Sequence, residues 1–231
     1  AVRSNFERLD FAGMAKPRQV FQRLWLVADL QQLSMKMVDT VPGLSGLKGF
    51  LSYQNSVGYV DLDAKNVGLH FGNLYDEAWS LQEVRGRLLL RQTETGLGLS
   101  SSRLIAKTDQ LSAVGKLEMN FAEDRRQRTW GLVIGAEDFA LESAFPFVPN
   151  TVPDAVDVWL ESNLMAGRSK QSGLIVHGSL DRLSPKIEKR YAMQVELDEV
   201  TLQYADGWPV ATNVYGDIQV SNDGVFAAPL T

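Results

Sequence analysis

Apolar and polar residues alternate along most of this chain. In GKLEMNFAED at 115–124, Leu117, Met119 and Phe121 interleave with Lys116, Glu118 and Asn120, a period of two that turns one face to an apolar environment and the other to water. The same pattern predicts a succession of strands. Gln22–Met37 is a long run in which the alternation slips near Leu33, Met35 and Met37, the mark of a bulge or a bend. VPGLSGLKG at 41–49 predicts a turn region, and Phe50–Tyr53 and Val57–Ala64 predict a hairpin beyond it. Val67, Leu69 and Phe71 form the next set. Arg85–Gln92 and Gly96–Ser102 flank the turn signal ETG, and Arg103–Lys107, Gly115–Phe121 and Thr129–Ile134 continue the meander. Met193, Val195 and Leu197 follow, then Val200, Leu202 and Tyr204, then Val214–Val220. Roughly a dozen strands, with turn signals about every 8–12 residues, predict an all-β, mainly antiparallel fold.

One segment departs from the alternation. In TVPDAVDVWLESNLMAG, Val156, Trp159, Leu160 and Leu164 recur at helical spacing, Pro153 suits a first turn and Gly167 a C-terminal stop. This predicts a single amphipathic helix over about 153–166, packed on an end or edge of the sheet.

Composition narrows the function. The net charge of −5 disfavours a nucleic-acid partner, since phosphate binding needs clustered Lys and Arg. Arg125, Arg126 and Arg128, the one dense basic group, read as a solvated hairpin loop. Without cysteine there is neither disulfide nor thiolate chemistry. Apolar runs such as LWLVA at 24–28 fall far short of the ~18–20 residues of a spanning helix. The start at Ala1, with no basic and apolar leader, reads as a mature product or an excised piece.

Reactive groups do not converge. His70 and His177 lie in alternating runs without metal-ligand spacing, and His70 is expected to face solvent. GLGLSSS at 96–102 holds neither a nucleophile elbow nor a phosphate loop. Asp61 and Asp63 read as a solvated acidic strand face. No catalysis and no cofactor are expected.

An antiparallel sheet that is apolar on one side must cover that side with a sheet, a helix or a ligand. One helix covers only part of a dozen strands. The sheet therefore either closes on itself or curls into a trough around something apolar, and alternation is the same in both.

PGLSGLKGFL at 42–51, FGNLYDEAWSLQEVRGRLLLR at 71–91, VWLESNLMAGRSKQSGLIVHGSL at 158–180 and VTLQYADGWPVATNVYGDIQVSNDGVF at 200–226 resemble, in order, segments of the AsmA-like repeat family. The resemblance is to its YhdP branch of large envelope proteins of Gram-negative bacteria. The Trp208–Pro209 element with Tyr204 four residues earlier is the most specific of these pieces. The resemblance implies a curved, elongated sheet forming a groove, with the chain a single section of a larger protein and sub-repeats at 1–150 and 151–231. It also implies a periplasmic location, an inner-membrane anchor in the full-length protein, and a part in moving phospholipid between the inner and outer membranes. The expected partners are phospholipid acyl chains, neighbouring repeats, and membranes through regions outside this chain. On that reading the apolar parity of successive strands touches lipid through Val67, Leu69, Phe71, Leu117, Met119, Phe121, Leu132, Ile134, Val195, Leu197, Leu202 and Tyr204. Tyr204, Trp208 and Pro209 also read as an aromatic corner between strands. Two other readings stay open: a closed structural or interaction module that binds by strand addition, and a carbohydrate-binding β-sandwich.

Overall fold

A computed structural model describes residues 25–37, 42–72, 75, 77–148, 150, 154–179 and 189–228. Among these residues eleven strands form one antiparallel sheet in which spatial order equals sequence order. They are β1 (Trp25–Met35), β2 (Gly43–Gln54), β3 (Val57–His70), β4 (Trp79–Gln92), β5 (Gly96–Lys107), β6 (Ser112–Ala122), β7 (Thr129–Ala140), β8 (Leu164–Ser179), β9 (Arg190–Leu202), β10 (Ala211–Ser221) and β11 (Gly224–Ala227). The sheet is open and curled and is not a closed barrel.

Residues directly opposite on paired antiparallel strands share a face, so the register carries one face from edge to edge. Leu30, Gly49, Leu62, Gly86, Leu104, Gly115, Ile134, Leu174, Met193, Val220 and Val225 stand opposite one another in a row that crosses all eleven strands without a polar residue. The row beside it, on the other face, runs Asp29, Phe50, Asp61, Arg87.

Strands this long keep one face apolar only by resetting their parity. In nine of them the alternation breaks at two consecutive residues that both face away from the apolar side: Gln31–Gln32, Ser45–Gly46, Lys65–Asn66, Gln82–Glu83, Ser102–Arg103, Glu137–Asp138, Lys170–Gln171, Asp198–Glu199 and Thr212–Asn213. Asn66, Asp138, Glu199 and Asn213 take positive φ at these points, as does Gly46, and register shifts cluster there. Bulges bend a strand and increase its twist. Set near one another on neighbouring strands, eight of them fold the sheet along a line that crosses the strands; Ser102–Arg103 on β5 stands apart, opposite Arg87 of β4. Burial follows the fold line: Leu62, Ala64, Val67, Leu81, Phe139, Leu197 and Val200, all buried, flank the polar pairs. They form the floor of a trough, and strand residues farther from the line form its half-exposed walls.

Tight curvature demands small residues. At Gly86, φ is +143° and an added Cβ would stand 2.3 Å from the Arg103 carbonyl oxygen, so the backbones of β4 and β5 would have to separate. Gly86→Ala is expected to lower stability by about 1–3 kcal/mol. That is a fall of roughly 3–10 °C in the melting temperature at this chain length, read by circular dichroism.

Past the row Ala64, Val84, Ala106, Ala113, Ala136, Ser172, Val195, Ile218, the wall is uneven. β3 and β4 continue to His70 and Trp79, and β8, β9 and β10 to Leu164, Leu202 and Ala211, but β5 and β6 stop at Lys107 and Ser112. A 3₁₀ strap, Leu141–Phe147, leaves β7 and bridges this notch. Leu141 packs with Leu197 and Val200. The Ser143 hydroxyl donates to Gln110 Oε1 (3.2 Å) at the β5–β6 tip, and the Phe147 ring meets Trp79 edge-on with centroids 4.9 Å apart.

Several expectations are corrected. Residues 43–49, expected as a turn, are the first half of β2, because Gly46 supplies a bulge and not a reversal. Ala64 and Val67 lie on one strand, as do Ser102 and Arg103, and Leu197 and Val200, although the sequence pattern divides each at a polar pair. The helix, here α1 (Asp154–Asn163), is shorter than predicted. Leu164 already begins β8, and Gly167 lies within β8 against Val200, where an added Cβ would come within 2.7 Å of that side chain. It is a close-approach glycine, not a helix stop. Pro153, the Val156 side chain and residues 22–24 lie outside the described residues.

Candidate functional site

Ten of the twelve predicted residues lie on strands and share the apolar face. Val67 and Leu69 on β3, Leu117, Met119 and Phe121 on β6, Leu132 and Ile134 on β7, and Val195, Leu197 and Leu202 on β9 are joined by the register, with Leu117 opposite Leu132 and Met119 opposite Leu99 and Trp130. Depth divides them. Val67 (1% exposed) and Leu197 (5%) are floor residues packed by their neighbours, while Leu117, Met119, Phe121, Leu132 and Ile134 are half-buried on the wall.

The other two lie beyond strand ends. Phe71 follows β3 and its ring joins Trp79 (4.6 Å) and Tyr75 (5.4 Å); burial pushes the Tyr75 hydroxyl up to about 12. Tyr204 follows β9, is 64% exposed, and sits 5.5 Å from Trp208 and 6.5 Å from Trp159. Its carbonyl accepts from Trp159 Nε1–H (2.8 Å), and Asn163 Nδ2–H donates to the Gln203 carbonyl (2.6 Å). These contacts pin α1 to the β9–β10 connection at the end of the sheet. Among the described residues no second sheet covers the trough.

Sequence reasoning missed Leu88, Leu90, Leu97 and Leu99, which the register places on the same face, and Leu174 and Val176 opposite Ile134 and Leu132. The alternation in LLLRQ and GLGLS was their signal.

The outer face carries the charge. Arg87 Nη2–H donates to Asp61 Oδ2 (2.8 Å), and the guanidinium lies 4.5 Å from the centre of the Tyr59 ring. That hydrogen bond holds the Asp61 carboxyl below its usual range. Lys107 pairs with Glu83 (3.3 Å), Arg85 with Asp63 (3.3 Å) and Lys170 with Asp198 (3.1 Å). Exposed pairs of this kind are worth ~0–1 kcal/mol each; they set which face meets water. His70 and His177 are exposed, and Arg125 and Arg126 sit on the solvated β6–β7 turn. Followed along the register, the apolar face of β1 to β10 holds no Asp, Glu, Lys or Arg among the described residues. No group of three or more His, Cys, Asp or Glu able to hold a metal occurs among them. No helix among them is long and apolar enough to cross a membrane, which says nothing of strands.

The arrangement can shield an apolar ligand lying across the strands. No curated protein and no solved structure matches the chain. Its sequence nevertheless has a family: the YhdP protein family model matches residues 3–228, nearly the whole chain, and the protein belongs to that family.

Proposed function

We propose that this chain is a non-catalytic section of a periplasmic lipid conduit, holding phospholipid acyl chains in its trough on their way between the inner and outer membranes. One observation carries the reading: among the described residues, a face without charge that no second sheet covers runs across eleven strands. Ten strand spacings of ~4.8 Å make a trough of about 48 Å, roughly three times the depth of one leaflet's hydrocarbon. Two chains of about sixteen carbons lose ~25 kcal/mol of apolar shielding on leaving a bilayer, at ~0.8 kcal/mol per CH₂. Only a continuous apolar surface offsets that, and the row from Leu30 to Val225 supplies one. Membership of the YhdP family, one of envelope proteins tied to lipid transport, supports the same reading. Neighbouring sections would extend the trough at either edge strand.

Native mass spectrometry with lipid extraction, on protein purified without detergent, tests this. Phospholipid near one or more per chain is the expected result. Lipid-free protein that also refuses a fluorescent phospholipid would overturn it.

A second reading has its own observation. Trp25 (74% exposed), Val27, Val57 and Leu89 lie together on the outer face, a patch suited to a protein partner. It leaves the trough unexplained and is the weaker of the two.

A further inference from the structure

One end of the sheet carries an exposed aromatic surface. Tyr204 (64% exposed) and Trp208 (60%) stand with ring centroids 5.5 Å apart at the β9–β10 connection. Val158 on α1, Met165 at the start of β8 and Val210 just before β10 are exposed as well. These side chains belong to one region. Leu164 and Ala211 both stand opposite Leu202, so Met165 and Val210 flank the end of β9 that leads to Tyr204. Trp159, next to Val158, reaches the Tyr204 carbonyl.

Large rings are costly to leave in water, yet the main chain holds these two there. Trp208 N–H donates to the Ala205 carbonyl (3.0 Å), closing a turn in which Gly207 takes φ +78°. Gln203 Nε2–H donates to the Trp208 carbonyl (2.9 Å), and Pro209 follows. Both main-chain polar groups of Trp208 are engaged while its ring stays exposed. Rings on a fixed backbone lose little freedom when a partner covers them, and Trp and Tyr dominate the energetic centres of protein interfaces.

Charge selects the partner. Asp206 lies in the turn between the two rings, and Glu161 stands one helical turn from Val158 on α1. Both are exposed, and neither pairs with a cation among the described residues. No Lys or Arg occurs in α1 or anywhere from Tyr191 to Thr231. We propose that this surface docks a basic segment of a protein partner, whose Lys or Arg side chains stack on Tyr204 and Trp208 and pair with Asp206 and Glu161. The apolar residues of that segment cover Val158, Met165 and Val210. The surface lies at the strand ends, so it does not depend on what the trough holds. An anionic lipid surface is repelled by the same carboxylates. A second copy of this chain would set them against their own equivalents across a two-fold contact.

The test measures, by fluorescence anisotropy, binding of the whole chain to a labelled amphipathic peptide of Leu, Lys and Arg and to a counterpart with Glu in place of every Lys and Arg. The basic peptide is expected to bind roughly tenfold more tightly or better. Tyr204→Ala with Trp208→Ala should weaken it about tenfold, and Glu161→Lys with Asp206→Lys by about as much. Glu94→Lys with Glu123→Lys makes the same change of charge on exposed residues at the opposite end of the sheet and should leave the affinity within about twofold of the parent's. Equal losses from the two charge reversals, or rim variants that bind as the parent does, would overturn the docking site. So would a parent that binds neither peptide, one that floats with phosphatidylcholine vesicles instead, or one that sediments as a dimer dissociated by Trp208→Ala.

Discussion

Leu117→Asp is expected to yield a folded protein that carries at least tenfold less phospholipid than the parent, whereas Lys116→Asp, one residue away, carries as much. Leu117 stands opposite Leu132 on the half-exposed wall, so in lipid-free protein the new carboxylate reaches water and the fold tolerates it. Under an acyl chain the same carboxylate must shed its water with no partner nearby, an effective penalty of several kcal/mol, and each ~1.4 kcal/mol is a factor of ten in occupancy. Lys116 faces the other side of the same strand. Extraction and quantification of lipid from both variants decides the matter. Equal loads would mean that the wall facing Leu132 does not touch lipid.

At Val200 the same side chain is expected to act on the fold itself. Val200 is fully buried against Leu141 and Leu197, and the Gly167 backbone approaches it so closely that even a Cβ there would collide. A carboxyl at this point has neither water nor a partner, and Val200→Asp should remove about 3–5 kcal/mol of stability. That is a large part of the 5–15 kcal/mol typical of a domain. The expected outcome is insoluble protein, or a urea midpoint far below the parent's. A midpoint near the parent's would mean that this part of the fold line is not a packed floor. Leu197→Asp should behave as Val200→Asp does, which separates it from the wall residues with which sequence parity grouped it.

That grouping shows what the sequence makes legible. β6 is the long strand whose alternation never resets, and GKLEMNFA at 115–122 within it reads as a strand from parity alone. Elsewhere the reset at a polar pair looks, one strand at a time, like the end of a strand. Lys65–Asn66 and Ser102–Arg103 therefore split β3 and β5, although each pair is the point where the chain bends to keep its apolar side inward. A turn and a bulge use the same residue types, and only the partner strand distinguishes them. Depth was equally hidden. Val67 and Leu69 have the same parity and chemistry, yet one is floor and the other partly exposed, because burial depends on where the sheet folds. A surface cleft lined by Gln110, Asp138, Glu142 and Arg168 draws on three separate stretches of chain, and no local pattern announces it.

The order of the sheet has a consequence for how it assembles. Every strand pairs only with the strands before and after it in sequence, so no strand waits for a distant partner; the longest connection, residues 141–163 between β7 and β8, carries the strap and α1. Stability in such an array approximates a sum over nearest neighbours. The sheet can grow at one edge, hairpin by hairpin, and an injured strand divides it into two parts that each remain paired. The strap is the exception: in reaching back from β7 to Trp79 it ties the middle of the array together across three strand pairings, so it can lock into place only after β4 to β7 have formed.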